Sequence, residues 1–412
     1  MHIWIDARSP YAFEKIYSLT LIERLLRQLF ELGIRERVTV MLELNLSLKH
    51  VIRSDFWRRY PLGFETADSD ACFTESLMAA QKCNHSFMLL EGDGIYDERI
   101  LKTLIQTSRS LLISDERQGA VPIAMHVQPG DLHHLRRHTM HIRDYLQPEG
   151  RGNWLTTLSV HDMDSYIPAL RQTAVPFLTK LQDQACIRNI ENEMYEQTFK
   201  GVMDFIATYV YRIPVRELVR WLAPTRVTPN HITTISVVCS LGALPLFVTG
   251  WLWAGLIVAF IFIIADSLDG KLARLTIRLS PVAGHVDHIT SPLFEAGYYV
   301  AWGWHFSAGD FTALAGRAGW LLFAFFGLDR IVTSIFGLRF HRSLLDYKEW
   351  DARFHLIAGR RTVNLFIMTL GCMVQKPIIA LYIITVWMFI TMLWHMVRYA
   401  LHAYQNEAGS QR

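Results

Sequence analysis

The chain has 412 residues, enough for a soluble domain joined to a membrane bundle, and its 41 Lys and Arg against 38 Asp and Glu leave a formal charge of +3. That balance gives no bulk electrostatic ground for binding nucleic acid. Five cysteines (Cys72, Cys83, Cys186, Cys239 and Cys372) lack CxxC spacing, which argues against a disulfide framework or a zinc site.

The first residues, MHIWIDARSPYAFEK, have no basic segment followed by an apolar stretch, so no cleavable signal peptide is expected. The first half is therefore expected to stay in the cytoplasm. An apolar strand, Ile3-Trp4-Ile5, precedes a helical stretch from Ser18 to Glu31. Strands are expected at Val38 to Leu44, Ser86 to Leu90, Leu111 to Ser114 and Val121 to His126. This alternation predicts an α/β domain with one mostly parallel sheet flanked by helices.

The order of elements, with Leu21-Ile22-Glu23-Arg24-Leu25-Leu26, Gly92-Asp93 and His161-Asp162-Met163-Asp164-Ser165, resembles the sugar-phosphate nucleotidyltransferases. That resemblance implies Mg²⁺ held by Asp93 and by an aspartate of the later motif. The glycine-rich loop that would wrap a triphosphate should lie at Asp6 to Glu14, where there is no glycine to let backbone amides converge on phosphates. The expectation is a degenerate, nucleotidyltransferase-like domain over 1–189, a scaffold rather than a second enzyme.

His133, His134, His138 and His141 stand beside Arg136 and Arg137 without a carboxylate pattern and read as a solvated basic surface. Residues 190–230 form a linker. Within it, Tyr195, Phe199, Phe205, Tyr209 and Tyr211 near Arg212, Arg216 and Arg220 suit a helix lying among lipid headgroups.

From Ile232 onward long apolar runs alternate with short polar loops. A span needs about 20 mostly apolar residues, and candidates lie at 232–250, 252–268, 283–306, 318–338, 362–375 and 377–399. Basic residues set the orientation. One set of loops and ends carries Lys271, Arg274, Arg278, Arg339, Arg342, Lys348, Arg353, Arg360, Arg361, Arg398 and Arg412; the other carries only Arg317 and Lys376. Six spans with both termini and the active site cytoplasmic are expected. The chain would be a multi-pass integral membrane protein, of the inner membrane if bacterial.

Ionisable residues within spans are functional candidates. Asp266 and Asp269, three apart, share one helix face, Gly270 follows without a side chain, and Asp287 begins the next span. Three converging carboxylates repel one another unless a cation sits between them, and Mg²⁺ or Mn²⁺ suits such oxygen ligands and phosphate substrates. Pairing with Lys271, Arg274 and Arg278 is the plainer alternative.

The string Asp266-Ser-Leu-Asp269-Gly270-Lys-Leu-Ala273-Arg274, with Asp287 thirteen residues later, resembles the signature of the CDP-alcohol phosphotransferases. Thr228-Pro229-Asn230-His231-Ile232-Thr233 resembles the opening of that family's first membrane helix. Together the likeness covers about residues 195–402. It implies metal ligands Asp266, Asp269 and Asp287, a donor-binding role for Gly270, Ala273 and Arg274, and a tendency to form homodimers. It also implies transfer from a CDP-linked donor such as CDP-diacylglycerol to a hydroxyl acceptor, with release of CMP.

The second half of the signature departs: Ala283 stands at the second glycine, next to Gly284, and Ser291 at the fourth aspartate, the family's implicated base. A serine hydroxyl is a poor base at neutral pH. His288, Glu295 (one turn beyond Ser291) and His285 are the candidate substitutes. Asp329 and Arg330 are expected to pair with each other, or Arg330 to meet a phosphate. The basic loop from Arg339 to Arg361 suits anionic headgroups or an acceptor phosphate.

The reading is an α/β cytoplasmic domain joined to an all-α six-helix transmembrane bundle at 231–402, with a tail at 403–412. The function expected is CDP-alcohol phosphotransfer in phospholipid or polyol-phosphate synthesis, among membrane lipids. The rival is a catalytically impaired membrane scaffold of the same fold; an active cytidylyltransferase domain feeding the bundle is a third reading.

Overall fold

The computed structural model describes residues 1–35, 37–43, 48, 52, 56, 60–68, 70–115, 121–135, 154–167, 170–278, 281–345 and 347–410, with backbone alone at 64, 70, 281–291 and 406–410. The chain divides into two compact units, Met1–Tyr166 with Thr173–Gln197, and Ile167–Gln172 with Thr198–Arg412.

The first unit is an α/β layer structure. Its strands are β1 (His2–Asp6), a hairpin of β2 (Lys15–Ile16) and β3 (Leu19–Thr20), β4 (Val38–Met41), β5 (Phe64–Ala67), β6 (Phe87–Glu91), β7 (Gly94–Tyr96), β8 (Leu111–Ser114), β9 (Ala124–Val127), β10 (Thr156–Ser159) and β11 (Leu178–Lys180). Its helices are α1 (Leu21–Glu31), α2 (Asp70–Lys82), α3 (Glu98–Gln106), α4 (Leu132–Leu135) and α5 (Ile187–Glu196). Among the described residues seven strands form one sheet in the order β10-β8-β9-β6-β1-β4-β5.

The sheet is parallel except at β9, which runs antiparallel to both β6 and β8. Only residues 115–123 connect β8 to β9, too few for the crossover that a parallel neighbour needs. Side chains alternate between the two faces. Ile3, Ile5, Val38, Val40, Met88 and Leu90 enter one core with α1, while Trp4, Met41, Phe87 and Leu89 enter the other with α2. Helix α1 is amphipathic, burying Leu21, Ile22, Leu25, Leu26 and Leu29, and Thr20 caps it by accepting from Glu23 N at 3.2 Å.

The second unit comprises α6 (Phe205–Tyr209), α7 (Arg212–Leu222), α8 (Pro229–Val248), α9 (Leu252–Leu275), α10 (Pro281–Phe306), α11 (Leu314–Phe340), α12 (Glu349–His355), α13 (Arg361–Met373) and α14 (Pro377–Ser410). Helices run through all six apolar segments of the sequence. Among the described residues four of them, α8, α9, α11 and α14, are long and apolar enough to cross a membrane, and α13 is a shorter apolar helix. Helix α8 starts with Pro229 at its first turn and a capping box between Thr228 and His231. Gly303 of α10 and Gly319 of α11 let their backbones touch: a Cβ on Gly303 would stand 2.8 Å from Gly319 Cα.

The linker is three helical pieces rather than one. Asp204 caps α6 by accepting from Ala207 N at 2.9 Å, and Phe205 N donates to Leu356 O at 2.8 Å. Its aromatic residues divide accordingly. Tyr195, Phe199 and Tyr211 are buried, whereas Phe205, Tyr209 and Trp221, the last 72% exposed, face outward and suit a lipid interface.

Candidate active site

Helix α9 brings Asp266 and Asp269 to one face near its C-terminal end, one turn apart. Two other elements hold them. Thr233 Oγ1 of α8 donates to Asp269 Oδ2 at 2.7 Å, and Gly270 N donates to Asp269 Oδ1 at 2.5 Å. Asp266 forms an ion pair with Arg361, the first residue of α13, whose guanidinium also lies 4.5 Å from the Phe262 ring.

The basic residues of the signature turn toward the linker. Arg274 donates to Thr198 O at 3.3 Å; Lys271 donates to Ser267 Oγ at 2.7 Å and places its ammonium 4.6 Å from the Phe199 ring. A Cβ on Gly270 would meet Arg274 Nη2 at 3.4 Å, an ordinary van der Waals contact. Ala273 lies half-buried on the same helix.

Asp287, with His285, His288 and Ser291, lies on α10 where only the backbone is described. Among the described residues no three His, Cys, Asp or Glu side chains form a metal cluster. The two carboxylates nevertheless fit a hard divalent cation: each oxygen of Asp269 that accepts one hydrogen bond keeps further lone pairs.

A second polar cluster lies deeper. Glu295 is 2% exposed and accepts from Tyr299 Oη at 2.8 Å, while Arg330 Nη2 approaches its other oxygen at 3.4 Å. Asn364 Nδ2 donates to Tyr299 Oη at 2.8 Å. Asp329 pairs with His395 at 2.5 Å, not with its neighbour Arg330. Successive residues on a helix point about 100° apart, which sends the two side chains to different partners.

Sequence reasoning missed Thr233, Arg361, Tyr299, Asn364 and His395 as site residues. Thr233 stands inside the Thr228–Thr233 string, and Arg361 closes the basic loop read as suited to anionic headgroups or an acceptor phosphate, not as a partner of Asp266. His395 carried a signal, as an ionisable residue within the 377–399 span, whereas nothing in the local sequence marks Tyr299 and Asn364.

In the first unit, Gly92 follows β6, and a Cβ there would press on Ala7 Cβ at 2.9 Å. Lys180 of β11 reaches both Glu91 Oε2 at 3.0 Å and Asp93 Oδ1 at 3.2 Å. Asp93 is 2% exposed; burial raises its pKa above the usual carboxylate value, and Lys180 opposes the rise. After β1, Arg8 folds back onto Asp6 at 2.7 Å and a turn of 3₁₀ helix covers Pro10–Phe13. In the later motif Asp162 and Asp164 are exposed, and His161 stands 3.5 Å from Asp115. Of the histidine cluster, the rings of His133 and His134 on α4 lie 3.9 Å apart, tilted by 39°, while His138 and His141 lie outside the described residues.

Comparison with known proteins gives two kinds of likeness. The family model described as CDP-alcohol phosphatidyltransferase matches residues 226–401. Inner membrane protein YnjF of Escherichia coli strain K12 is 30% identical over 161 residues, covering 39% of this chain and 76% of that protein. Solved nucleotidyltransferases align with the N-terminal half. One is a glucose-1-phosphate thymidylyltransferase from Bacillus anthracis (11% identity, 46% of this chain and 94% of that chain, TM-score 0.31). Another is a cytidylyltransferase from Leptospira borgpetersenii (16% identity, 55% of this chain and 97% of that chain, TM-score 0.32).

Proposed function

Through residues 226–401 this chain belongs to the CDP-alcohol phosphatidyltransferase family, and on that premise we propose that it transfers a phospho-alcohol or phosphatidyl group from a CDP-linked donor to an acceptor hydroxyl. The observation that carries this reading is the pair Asp266 and Asp269 on one face of α9, each held by a different neighbouring helix. In the reaction a bond forms between the acceptor oxygen and the phosphorus that bears the alcohol. The bond from that phosphorus to the bridging oxygen breaks, CMP leaves with that oxygen, and the acceptor proton passes to a base.

Asp266, Asp269 and, by its place in the signature, Asp287 would hold Mg²⁺ or Mn²⁺. When bound, such a cation neutralises pyrophosphate oxygens and stabilises the charge on departing CMP. Thr233 fixes the rotamer of Asp269, and Arg361 holds Asp266 against repulsion from its partner. Gly270, Ala273 and Arg274 form the surface that meets the donor. Both oxygens of Glu295 are engaged, so its part here is to hold Arg330, and His288 remains the candidate base.

The orientation proposed puts both termini and the carboxylates on the cytoplasmic side, following the basic loops. The N-terminal unit is read as a scaffold: an ammonium already sits on Glu91 and Asp93. Ser291 supports the rival reading, a catalytically impaired scaffold of the same fold. The test is to incubate purified protein with metal, CDP-diacylglycerol or CDP-alcohols, and a panel of acceptors, and to measure CMP. Metal-dependent CMP release with one acceptor supports the enzyme; none with any acceptor supports the scaffold.

A further inference from the structure

The linker ahead of α8 is tied down on both sides of Lys200. Before it, Thr198 O accepts from Arg274 at 3.3 Å, and the Phe199 ring meets two cations, Lys271 Nζ at 4.6 Å and the Arg212 guanidinium at 5.1 Å. After it, Gly201 N donates to Leu170 O at 2.9 Å, and a Cβ on Gly201 would stand 2.2 Å from Arg171 O, so only glycine fits. Further on, Asp204 caps α6 and Phe205 N donates to Leu356 O at 2.8 Å, shortly before α13 begins.

These ties bring two linker side chains to the carboxylate end of α9. Lys200 is exposed, and its ammonium stands in the field of Asp266, together with Arg171, Arg274 and Arg360. Among the described residues that ammonium makes no hydrogen bond and no ion pair. Tyr211, only 9% exposed, has a buried hydroxyl without a hydrogen-bond partner. Burial raises its pKa, Asp204 adds to the rise and Arg361 opposes it, so the hydroxyl keeps its hydrogen in the field of the residue that grips Asp266. A buried O–H without an acceptor is costly. Both residues precede 226–401, the part of the chain that the family model matches, so no feature of that match assigns them a role.

We propose that Lys200 and Tyr211 contact the diphosphate of the CDP-linked donor, Lys200 as a cation and Tyr211 as a hydrogen-bond donor. A diphosphate supplies what both groups lack, charged oxygens that accept from an ammonium and from a hydroxyl. Its place follows from the signature helix. Arg274, which meets the donor in the reading above, holds the backbone at Thr198, and Asp266 lies within the field of Lys200. Lys200 then offsets part of the charge that gathers on departing CMP, and no proton passes through it. The linker thus completes the donor site from outside the bundle's own signature. This assignment rests on the phosphotransfer reading.

The test uses the full chain in phosphatidylcholine nanodiscs with fixed Mg²⁺, titrated calorimetrically with CDP. Lys200→Gln and Tyr211→Phe should each weaken CDP binding at least about 10-fold, as loss of a hydrogen bond to a charged group implies. Lys200→Arg keeps the charge and should retain most of the affinity, which a merely structural role would not predict. Arg353→Gln, on the exposed face of α12, should leave it unchanged. Tyr211→Phe keeps the buried ring, and Lys200→Met replaces Lys200→Gln if the latter does not fold. In steady-state CMP release the same variants should lower kcat/KM for the donor about 10-fold and leave the acceptor KM unchanged.

Equal CDP affinity in wild type and folded variants overturns the inference, and CMP release by the wild type then leaves the phosphotransfer reading standing. Absence of CDP binding by the wild type overturns it too. A raised acceptor KM with an unchanged donor KM also overturns it, by moving both residues to the acceptor. CDP binding that depends on Lys200 and Tyr211 without CMP release keeps the site and removes the enzyme.

Discussion

Arg361, the first residue of α13, grips Asp266 of α9 across 95 residues of sequence, so the guanidinium rests on a carboxylate proposed to take a metal ion. A cation entering between Asp266 and Asp269 therefore competes with a resident positive charge. Removing that charge by Arg361→Gln should lower the half-saturating Mg²⁺ concentration about 5-fold, since a unit charge at contact in water is worth roughly 1 kcal/mol. Mg²⁺ dependence of CMP release checks it. An unchanged or higher requirement would mean that Arg361 does not oppose the metal.

Asp266→Asn, Asp269→Asn and Asp287→Asn should each lower turnover at least about 100-fold, and chelation should abolish it, because metal-held charge stabilisation is commonly worth several kcal/mol. The readout is CMP release by protein whose melting temperature matches wild type. Full activity in any one of the three would remove that residue from the metal assignment.

Much of this site was legible because its chemistry lies within nine consecutive residues, Asp266 to Arg274, and helical spacing alone puts the two carboxylates together. Strands β1, β4 and β6 were legible as short apolar runs, and they are buried on both faces of the sheet. Contacts between distant elements were not. Adjacent Asp329 and Arg330 suggested a pair, yet helix geometry sends one to His395 and the other to Glu295. The linker read as one amphipathic helix because composition does not show that Tyr195, Phe199 and Tyr211 turn inward. The direction of β9 depends on a connection length that no strand pattern reveals.

Position 291 separates enzyme from scaffold. Ser291→Ala should retain most activity, since a hydroxyl contributes little as a base, and Ser291→Asp should keep or raise it, one turn from Asp287. His288→Ala, which removes the candidate base, should cost more than Glu295→Gln, which removes the partner of Tyr299 and Arg330. Steady-state CMP release decides each. Loss of all activity in Ser291→Ala would overturn this account of the position, and activity gained only in Ser291→Asp would establish the scaffold.

The N-terminal unit should release no pyrophosphate from CTP with any sugar or polyol phosphate; release that disappears in Asp93→Ala would show a working cytidylyltransferase. The same residue gives a pH test. Its pKa is raised in the fold, so its contribution to stability is full below the ordinary carboxylate value and is lost as pH rises through the folded one. Asp93→Asn should therefore protect the β6 amides more than wild type at neutral pH and equally in acid, read by hydrogen exchange in the intact protein. Weaker protection at neutral pH would mean that the bond to Lys180 outweighs burial.

The contact between Gly303 and Gly319 acts as a fulcrum with no slack. Glu295 lies eight residues from it along α10 and Arg330 eleven along α11, arms of about 12 and 16 Å at 1.5 Å per residue. Spreading the helices by one methyl group at the crossing would swing both arms and part the carboxylate from its guanidinium. The separation of the two charges is thus set, a dozen or more ångströms away, by two residues that carry neither charge nor side chain.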